Sequence, residues 1–312
     1  MILVTGATGS IGTPFVGSLL ERGEIVRILT NKADTKMPGV EIVNGNILDP
    51  NAVRDAVRGV DLVYHLAAVV GRHRKGRNVY RINVLGTKNI ADRSDAPIVY
   101  LSSTDVYGTD SSHVPISEAT RSNPDTVYAR TKEIAENIIL GRGGTVLRSP
   151  AVYGENIDPG ICPFLDLMER GKMNIIGDGN NRVHWIHIND VIQALLLAGR
   201  SRKKGVYLVA GKEVYTQRAL VGLLARHLHV MAPRHRTSIA VANMSADYRA
   251  MHARITGKKP NIMRTHLSLI SEDKEYDTSK ARRELGFDPQ VGYELGMRGL
   301  VDRYLVDWKQ RQ

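Results

Sequence analysis

The sequence predicts an α/β fold: a doubly wound parallel sheet, followed by a smaller, α-rich cap formed by the C-terminal half of the chain. Over the first 150 residues, short apolar runs alternate with helical patterns, as expected for parallel strands joined by crossover helices. The run at residues 62–66 is nearly continuous in apolar side chains, which is typical of a strand buried on both faces. The first run ends in a glycine-rich turn that leads directly into a helical pattern.

Six strands are predicted in the first half of the chain, at residues 2–5, 25–29, 41–43, 62–66, 98–102 and 145–148. Helical patterns between them include residues 11–21 and 51–57. Asp49 is the predicted N-cap of the second of these helices and Pro50 its first residue, since both residue types favour a helix start.

The second half of the chain is more irregular and contains no clear linker. Helical patterns occur at residues 163–170, 189–198, 218–229, 246–255 and 278–308. We therefore predict a soft boundary, with residues 1–160 mainly forming the sheet domain and residues 161–312 mainly forming the cap. Some segments of the cap are expected to return to the sheet.

The composition is that of an ordinary globular protein. The 312 residues are 42% hydrophobic and 24% charged, and a chain of this length can bury a sizeable core. A single cysteine, Cys162, excludes an intrachain disulfide. The first six residues lack the charged start of a signal peptide, and no apolar stretch is long enough to span a bilayer. We therefore expect a cytoplasmic protein without a membrane span.

The formal net charge of +11 could indicate an anionic partner. The cations are spread along the chain, with local runs at residues 72–77 and 200–204. No nucleic-acid-binding module is recognisable, and only three Phe and two Trp are available for base stacking, beside twelve Tyr. We therefore expect a small-molecule substrate and no nucleic-acid partner. Whether the chain forms a homodimer stays open.

The segment 5–12, Thr-Gly-Ala-Thr-Gly-Ser-Ile-Gly, follows the first predicted strand and opens the first predicted helix. Glycines at such a turn let backbone N–H groups approach a pyrophosphate, and the helix amino terminus favours its negative charge. A glycine cluster alone is a weak signal. Its position between a strand and a helix favours a dinucleotide site.

The end of the second predicted strand bears on the choice between NAD and NADP. An acidic side chain there would bind the adenosine ribose of NAD, but the chain has Thr30, Asn31 and Lys32, and no carboxylate before Asp34. Lys32 could pair with the 2′-phosphate of NADP, which favours NADP over NAD. The alternative is that Lys32 is an ordinary solvated lysine.

Tyr128 and Lys132 are four residues apart, which places them on one face of a helix. We predict that this helix starts near Asn123 and Pro124. A nearby ammonium favours the phenolate, so the tyrosine could act as general acid or base toward a carbonyl or hydroxyl group. The hydroxyl-rich residues 102–104 follow the strand predicted at 98–102, at the sheet edge where ligands of α/β proteins bind.

Several motifs follow one another along nearly the whole chain. They are the glycine-rich segment 5–12, His-Leu-Ala-Ala at 65–68, Asn83 with Gly86, Thr87 and Asn89, Ser-Ser-x-x-Val-Tyr-Gly at 102–108, Tyr-x-x-x-Lys at 128–132, Leu-Arg-x-Pro-x-Val-Tyr-Gly at 147–154, Gly-Asp-Gly at 177–179, Ile-His-Ile-Asn-Asp-Val at 186–191 and residues 277–287. In order and spacing, this set resembles the extended short-chain dehydrogenase/reductase superfamily. Each motif is weak by itself, but the ordered set is highly specific.

The resemblance implies a Rossmann fold and a role for each matching residue. Ser103 is the implied catalytic serine, Tyr128 the proton donor and acceptor, and Lys132 the residue that holds the nicotinamide ribose. Together with Tyr128 and Lys132, the residues implied to bind NAD or NADP are Gly6, Gly9, Ser10, Ile11, Gly12, Asn31, Lys32, Asn46, Ile47, Leu66, Ala67, Ala68, Asn83, Ser102, Pro150 and Val152.

Individual positions distinguish between the branches of this superfamily. Sugar-nucleotide members usually carry an arginine that clamps the diphosphate, where this chain has Val183 next to Arg182, and dehydratases carry Asp-Glu where it has Thr104 and Asp105. Residues 26–29 and 254–260 resemble dihydroflavonol reductases and 3β-hydroxysteroid dehydrogenases instead. We therefore favour an oxidoreductase that interconverts a ketone and a secondary alcohol. A sugar-nucleotide epimerase or reductase, or a redox-inactive dinucleotide-binding regulator, are the alternatives.

The residues predicted to bind substrate are Val70, Arg72, Thr104, Ala151 and Arg182. Residues 72–77 contain four cations and follow a strand end, so they could attract a substrate that bears a carboxylate or phosphate. The alternative is a solvated loop without a ligand role. No spacing of His, Cys, Asp and Glu indicates a metal site.

Overall fold

The structure is a computed structural model that describes residues 1–70, 76–109, 114–155, 157, 160–256 and 264–308. Its strands are β1 (Ile2–Thr5), β2 (Val26–Thr30), β3 (Val40–Asn44), β4 (Leu62–His65), β5 (Ile98–Ser103), β6 (Thr145–Ser149), β7 (Val152–Tyr153), β8 (Ile175–Ile176), β9 (Arg182–Val183), β10 (Ile186–His187), β11 (Gly205–Leu208), β12 (Tyr215–Thr216) and β13 (Arg236–Thr237). Seven of these strands form one sheet in the order β11-β6-β5-β4-β1-β2-β3. Every neighbouring pair in it is parallel.

The α-helices are α1 (Gly12–Glu21), α2 (Pro50–Val57), α3 (Gly76–Tyr80), α4 (Thr87–Arg93), α5 (Val127–Gly141), α6 (Cys162–Glu169), α7 (Ile188–Ser201), α8 (Gln217–His227), α9 (Ile239–Thr256), α10 (Arg264–Ser271), α11 (Ser279–Leu285) and α12 (Tyr293–Arg303). Arg81–Gly86 and Tyr304–Trp308 form π-helical turns, and Thr104–Tyr107 a 3₁₀ turn.

The predicted doubly wound parallel sheet is confirmed. All six predicted strands are present, and each end differs by at most one residue from the prediction. The seventh strand, β11, comes from the C-terminal half and pairs with β6. Apolar side chains of α1, α7 and α11 pack on one face of the sheet, and those of α2, α4 and α5 on the other. Since both faces are covered, the strands are apolar throughout rather than alternating.

The strand order reverses between β1 and β4, which are neighbours although β2 and β3 lie between them in the chain. Such a reversal opens a crevice at the carboxyl ends of the strands, because the connections leave toward opposite sides. The turn after β1 and the loop after β4 therefore meet at this edge.

Three short strand pairs and the helices α6, α8 and α12 build a second layer beyond the carboxyl ends of β5 and β6. The short pairs are β7 with β10, β9 with β12, and β8 with β13. This layer has an apolar core of its own, which contains Phe164, Leu224 and Met297. It is the α-rich cap that the sequence predicts.

The starts of α2 and α5 can be compared with the starts that the sequence predicts. Asp49 caps α2 as predicted, since its carboxylate accepts a hydrogen bond from the backbone N–H of Asn51 at 2.9 Å. The predicted start, at Asn123 and Pro124, of the helix that carries Tyr128 and Lys132 is wrong. Helix α5 begins at Val127, and the hydroxyl of Thr126 caps it by accepting from the N–H of Ala129 at 3.0 Å.

The helical pattern predicted at 278–308 is interrupted in the structure. Helix α11 ends at Leu285, where Gly286 adopts a left-handed φ of +72°, and α12 begins only at Tyr293. The pattern at 246–255 belongs to a longer helix, α9, which starts at Ile239.

Candidate active site

The turn between β1 and α1 packs against the loop that follows β4. Gly6 has a φ of +73°, and a Cβ atom on it would lie 2.6 Å from the backbone nitrogen of Ala67. A Cβ atom on Gly12 would overlap the carbonyl oxygen of Gly6. Because only glycine fits both positions, the turn stays narrow and its backbone is accessible to a ligand.

The amino terminus of α1 adjoins this turn. In the part of the chain that the structure describes, no side chain caps the helix at Ile11, and its first turn contains no acidic residue. The first N–H groups of a helix have no partner within the helix, and the helix dipole makes this end positive. The turn, which holds the predicted residues Gly6, Gly9, Ser10, Ile11 and Gly12, therefore favours a phosphate group.

A buried histidine connects β1 to the helices behind β4. The ring of His65 contacts the hydroxyl of Thr5 at 2.6 Å through Nδ1 and that of Thr87 at 2.8 Å through Nε2. Burial, together with the charge of Lys132, lowers the pKa of His65 to about 3. The imidazole is therefore neutral at physiological pH and its role in this network is structural.

The loop after β4 is tied down by a buried amide. Asn83, in the π-helical turn, accepts a hydrogen bond from the N–H of Val69 at 2.8 Å and donates to the carbonyl oxygen of Val69 at 3.1 Å. It also donates to the hydroxyl of Thr131 on α5 at 3.0 Å. The predicted cofactor residues Leu66, Ala67 and Ala68 thus lie on a loop that is fixed relative to the helix of Tyr128 and Lys132.

At the far end of the sheet edge, β2 ends at Thr30, and both Asn31 and Lys32 are exposed. The loop turns back on itself, since the N–H of Lys32 donates to the Thr30 hydroxyl at 3.2 Å and the Thr35 hydroxyl donates to the Lys32 carbonyl at 2.8 Å. Residues 30–33 contain no carboxylate, and within the described part of the chain the exposed ammonium of Lys32 forms no ion pair.

Lys132 is buried beneath the site. Its ammonium donates to the carbonyl oxygen of Leu101 at 2.6 Å and lies 4.1 Å from the ring centroid of Tyr100. Burial lowers the pKa of Lys132 to about 7, although Glu136 and Asp105 oppose this shift. Tyr128 lies one helical turn earlier on α5 and is half-buried.

The carboxyl end of β5 presents hydroxyl groups to the same region. Ser102 is buried, and its Oγ has no hydrogen-bond partner among the described residues. The Oγ of Ser103 accepts from the N–H of Asp105 at 3.2 Å. Since a buried hydroxyl normally has a partner, the hydroxyl of Ser102 is an unsatisfied polar group at the carboxyl end of β5.

A cleft opens between the end of β5 and the cap. Its walls are formed by Thr104, Asp105, Pro150, Ala151, Arg182, Val183, His184, Trp185, Ser268, Leu269, Glu272, Lys274 and Tyr276. The predicted substrate residues Thr104, Ala151 and Arg182 are therefore brought together here, next to Ser103.

The charged side chains that line this cleft are two acids, Asp105 and Glu272, and two bases, Arg182 and Lys274. The guanidinium of Arg182 forms ion pairs with Asp273 at 2.7 Å and with Glu275 at 2.9 Å. Lys274 pairs with Glu272 at 2.8 Å. Asp105 forms no ion pair within the described ranges. Both bases of the cleft are therefore already paired, and Arg182 has no charge to spare for a ligand.

The chain matches two families of known proteins. Residues 2–210 match the NAD dependent epimerase/dehydratase family, and residues 148–300 match the GDP-mannose 4,6 dehydratase family. The chain belongs to the NAD dependent epimerase/dehydratase family. The predicted membership in the extended short-chain dehydrogenases/reductases is thereby confirmed, and this family member is an NAD-dependent enzyme.

Individual relatives cover the chain almost end to end. The 2-alkyl-3-oxoalkanoate reductase of Stenotrophomonas maltophilia is 28% identical and covers 96% of this chain and 98% of its own length. Sterol demethylase protein B of Methylococcus capsulatus is 29% identical over 92% of this chain and 93% of its own. A structure of UDP-glucuronic acid 4-epimerase from Bacillus cereus with NAD has a TM-score of 0.74, 21% identity and 97% coverage of both chains, which shows the shared fold.

The remaining predicted site residues lie in different places. Asn46 is exposed and Ile47 half-buried after β3, while Pro150 and Val152 follow β6. Val70 is 54% exposed at the end of a described segment. Arg72 and most of the basic run 72–77 lie outside the described residues, so the anionic-substrate hypothesis stays a prediction.

Sequence reasoning did not identify the ion pair that anchors α5 to the sheet. The carboxylate of Glu136 accepts from both Nε and Nη2 of Arg148, and its shortest contact is 2.6 Å. Both side chains are buried, and the guanidinium also lies 4.9 Å from the ring centroid of Tyr107. Arg148 belongs to a recognised motif, but nothing in the sequence indicates that Glu136 is its partner.

The described residues contain neither a cluster of metal ligands nor a membrane-spanning helix. Among the described residues, no three His, Cys, Asp or Glu side chains come together in a way that could hold a metal ion. None of the described helices combines the length and the apolar character that a bilayer crossing requires.

Proposed function

We propose that the protein is an NAD(P)-dependent oxidoreductase that interconverts a ketone and a secondary alcohol, with Tyr128 as general acid and base. The observation that carries this choice within the family is that Arg182, which lines the cleft beside Ser103, is already neutralised by Asp273 and Glu275. A sugar-nucleotide enzyme needs cations that are available for a diphosphate.

The residues present fit a nicotinamide dinucleotide. The narrow turn at Gly6 and Gly12, the uncapped start of α1 and the unpartnered hydroxyl of Ser102 each provide what such a ligand requires. When bound, the dinucleotide supplies or accepts the hydride. In this proposal residues 1–160 mainly hold the cofactor and residues 161–312 mainly hold the substrate.

The chain's own task in the reaction is to handle the proton. The phenol of Tyr128 donates its proton to the carbonyl oxygen during reduction, and the phenolate takes it from the alcohol during oxidation. The ammonium form of Lys132 stabilises the phenolate by its charge. Ser103 orients the reacting oxygen through its hydroxyl group.

The position that carries the diphosphate-binding arginine in sugar-nucleotide members supports the same choice. Val183 occupies it, on β9, and is only 2% exposed. Its neighbour Arg182 does not replace the missing cation, because its guanidinium is held by two carboxylates. The name of the 28%-identical relative, a 2-alkyl-3-oxoalkanoate reductase, also denotes reduction of a ketone.

We expect weak binding of nucleotide diphosphate sugars. Titration of the cofactor-loaded enzyme with UDP-glucose, GDP-mannose and dTDP-glucose by calorimetry should give dissociation constants of about 1 mM or more. The reason is that both bases lining the cleft are already paired and gain little from binding a diphosphate. UDP alone serves as the control for nucleotide recognition. Micromolar affinity for any of these sugars would contradict the proposal and favour the epimerase alternative, whereas ketone-dependent oxidation of the reduced cofactor supports the oxidoreductase.

We also expect NADP to bind more tightly than NAD. Lys32 can pair with the 2′-phosphate of NADP at the strand end, where an acidic side chain would repel that phosphate. The expected preference is about tenfold or more, or about 1.4 kcal/mol. Lys32→Ala should remove most of this preference and leave the affinity for NAD unchanged, while Lys36→Ala, an exposed lysine in the same loop, should change neither. A wild-type preference for NAD would show that Lys32 does not contact the cofactor.

A further inference from the structure

Helix α9 carries a row of large apolar side chains on its outer surface. Val241 is 55% exposed, Met244 68%, Tyr248 64% and Met251 57%. Their spacing of three and four residues places them on one side of the helix, where they form a continuous stripe. We call these four residues the α9 stripe.

The opposite side of α9 is built from small side chains. Ala246 is buried in the apolar core of the cap, and Ala242 packs against that core. Among the described side chains of α9, alanines therefore contact the core of the cap, while the large side chains of the α9 stripe point away from it. Folding does not account for the α9 stripe, since exposing such side chains to water is unfavourable.

The described chain around the α9 stripe carries an excess of positive charge. Residues 231–249 contain three arginines and a single acidic residue, Asp247. Arg234, Arg236 and Arg249 are exposed. Asp247 forms an ion pair with Arg264 at 2.5 Å, so this one carboxylate does not neutralise the segment.

We propose that α9 docks the protein onto an anionic lipid surface, with the α9 stripe at the boundary between headgroups and acyl chains. Helices that lie in this interface combine an apolar face with flanking Lys and Arg residues. The exposed arginines of residues 231–249 are complementary to anionic headgroups, which attract basic segments near a membrane surface.

A second copy of the chain is a poorer match to the same surface. A symmetric dimer through α9 would bring two segments with the same excess of positive charge together. Four side chains also cover only a few hundred Å², whereas a standard interface buries roughly 800 Å² on each partner. Charge and area therefore favour lipid over self-association.

The proposed surface lies next to the candidate active site. Helix α10 packs against α9 and contributes Ser268 and Leu269 to the cleft wall. Docking through α9 would thus hold the cap of the protein, and the helix that lines its cleft, close to the lipid. This inference goes beyond the proposed reaction and does not depend on it.

The test is sedimentation of the full chain with lipid vesicles. Vesicles of phosphatidylcholine mixed with phosphatidylglycerol should bind the wild type, and binding should fall as salt is added because the attraction is screened. The variant Met244→Ser, Tyr248→Ser, Met251→Ser should bind at least about tenfold more weakly. The control Ile25→Ser, Leu295→Ser, which changes exposed apolar residues elsewhere, should bind like the wild type.

A second variant keeps the α9 stripe apolar. In Tyr248→Trp, the tryptophan fluorescence should shift to shorter wavelength on addition of the anionic vesicles, as an indole does on entering the interface. Absence of binding to either vesicle type, or equal binding to pure phosphatidylcholine, would overturn the proposal. So would a lipid-free wild type that sediments as a larger species than the triple variant, because the α9 stripe would then belong to a subunit interface.

Discussion

Replacing Tyr128 by phenylalanine is expected to lower kcat by about 10²–10⁴, because loss of general acid and base catalysis typically has this effect. The phenyl ring keeps its position on α5, and only the oxygen that we propose to handle the proton is removed. Binding of the cofactor should therefore be unchanged. The measurement is ketone-dependent oxidation of the reduced cofactor, together with a cofactor titration of the variant.

A matched control separates this effect from the loss of any tyrosine hydroxyl. Tyr80→Phe removes an exposed phenol at the end of α3 and should retain full activity. Wild-type turnover by Tyr128→Phe would exclude Tyr128 as the proton donor. A parallel loss of activity and of cofactor affinity would instead assign Tyr128 to binding.

Replacing Glu136 by glutamine is expected to lower the free energy of unfolding by about 3–5 kcal/mol, because it leaves the buried guanidinium of Arg148 without a counter-charge. The ion pair joins α5, which carries Tyr128 and Lys132, to β6. Its loss should therefore also reduce kcat. Urea denaturation followed by circular dichroism measures the stability, and steady-state kinetics measures the second effect.

Two controls define this prediction. The double variant Glu136→Leu, Arg148→Met removes both charges and should be close to the wild type in stability, since apolar residues of similar volume often replace a buried pair without loss. Asp92→Asn breaks the exposed pair between Lys88 and Asp92 and should cost at most about 1 kcal/mol. If Glu136→Gln costs no more than Asp92→Asn, the buried pair does not anchor α5.

Several residues of the candidate site are predictable from short sequence patterns. The glycines at 6, 9 and 12, the pair Tyr128 and Lys132, and the hydroxyls at 102–104 are close in sequence to a strand or helix end, so spacing alone indicated their chemistry. The start of α5 was misplaced because Asn123 and Pro124 are also typical of a helix start, and only the capping contact of Thr126 shows where the helix begins.

What the sequence by itself determined is the sheet and the location of the dinucleotide turn, since buried parallel strands and glycine turns are encoded in consecutive residues. The tertiary structure alone decided the character of the cleft, because Asp105 and Glu272 are far apart in the chain, and the pairing of Arg182 with Asp273 and Glu275 spans about ninety residues. It also decided that the α9 stripe faces outward. A helical pattern shows that two faces exist, but only packing against the cap determines which of them is buried.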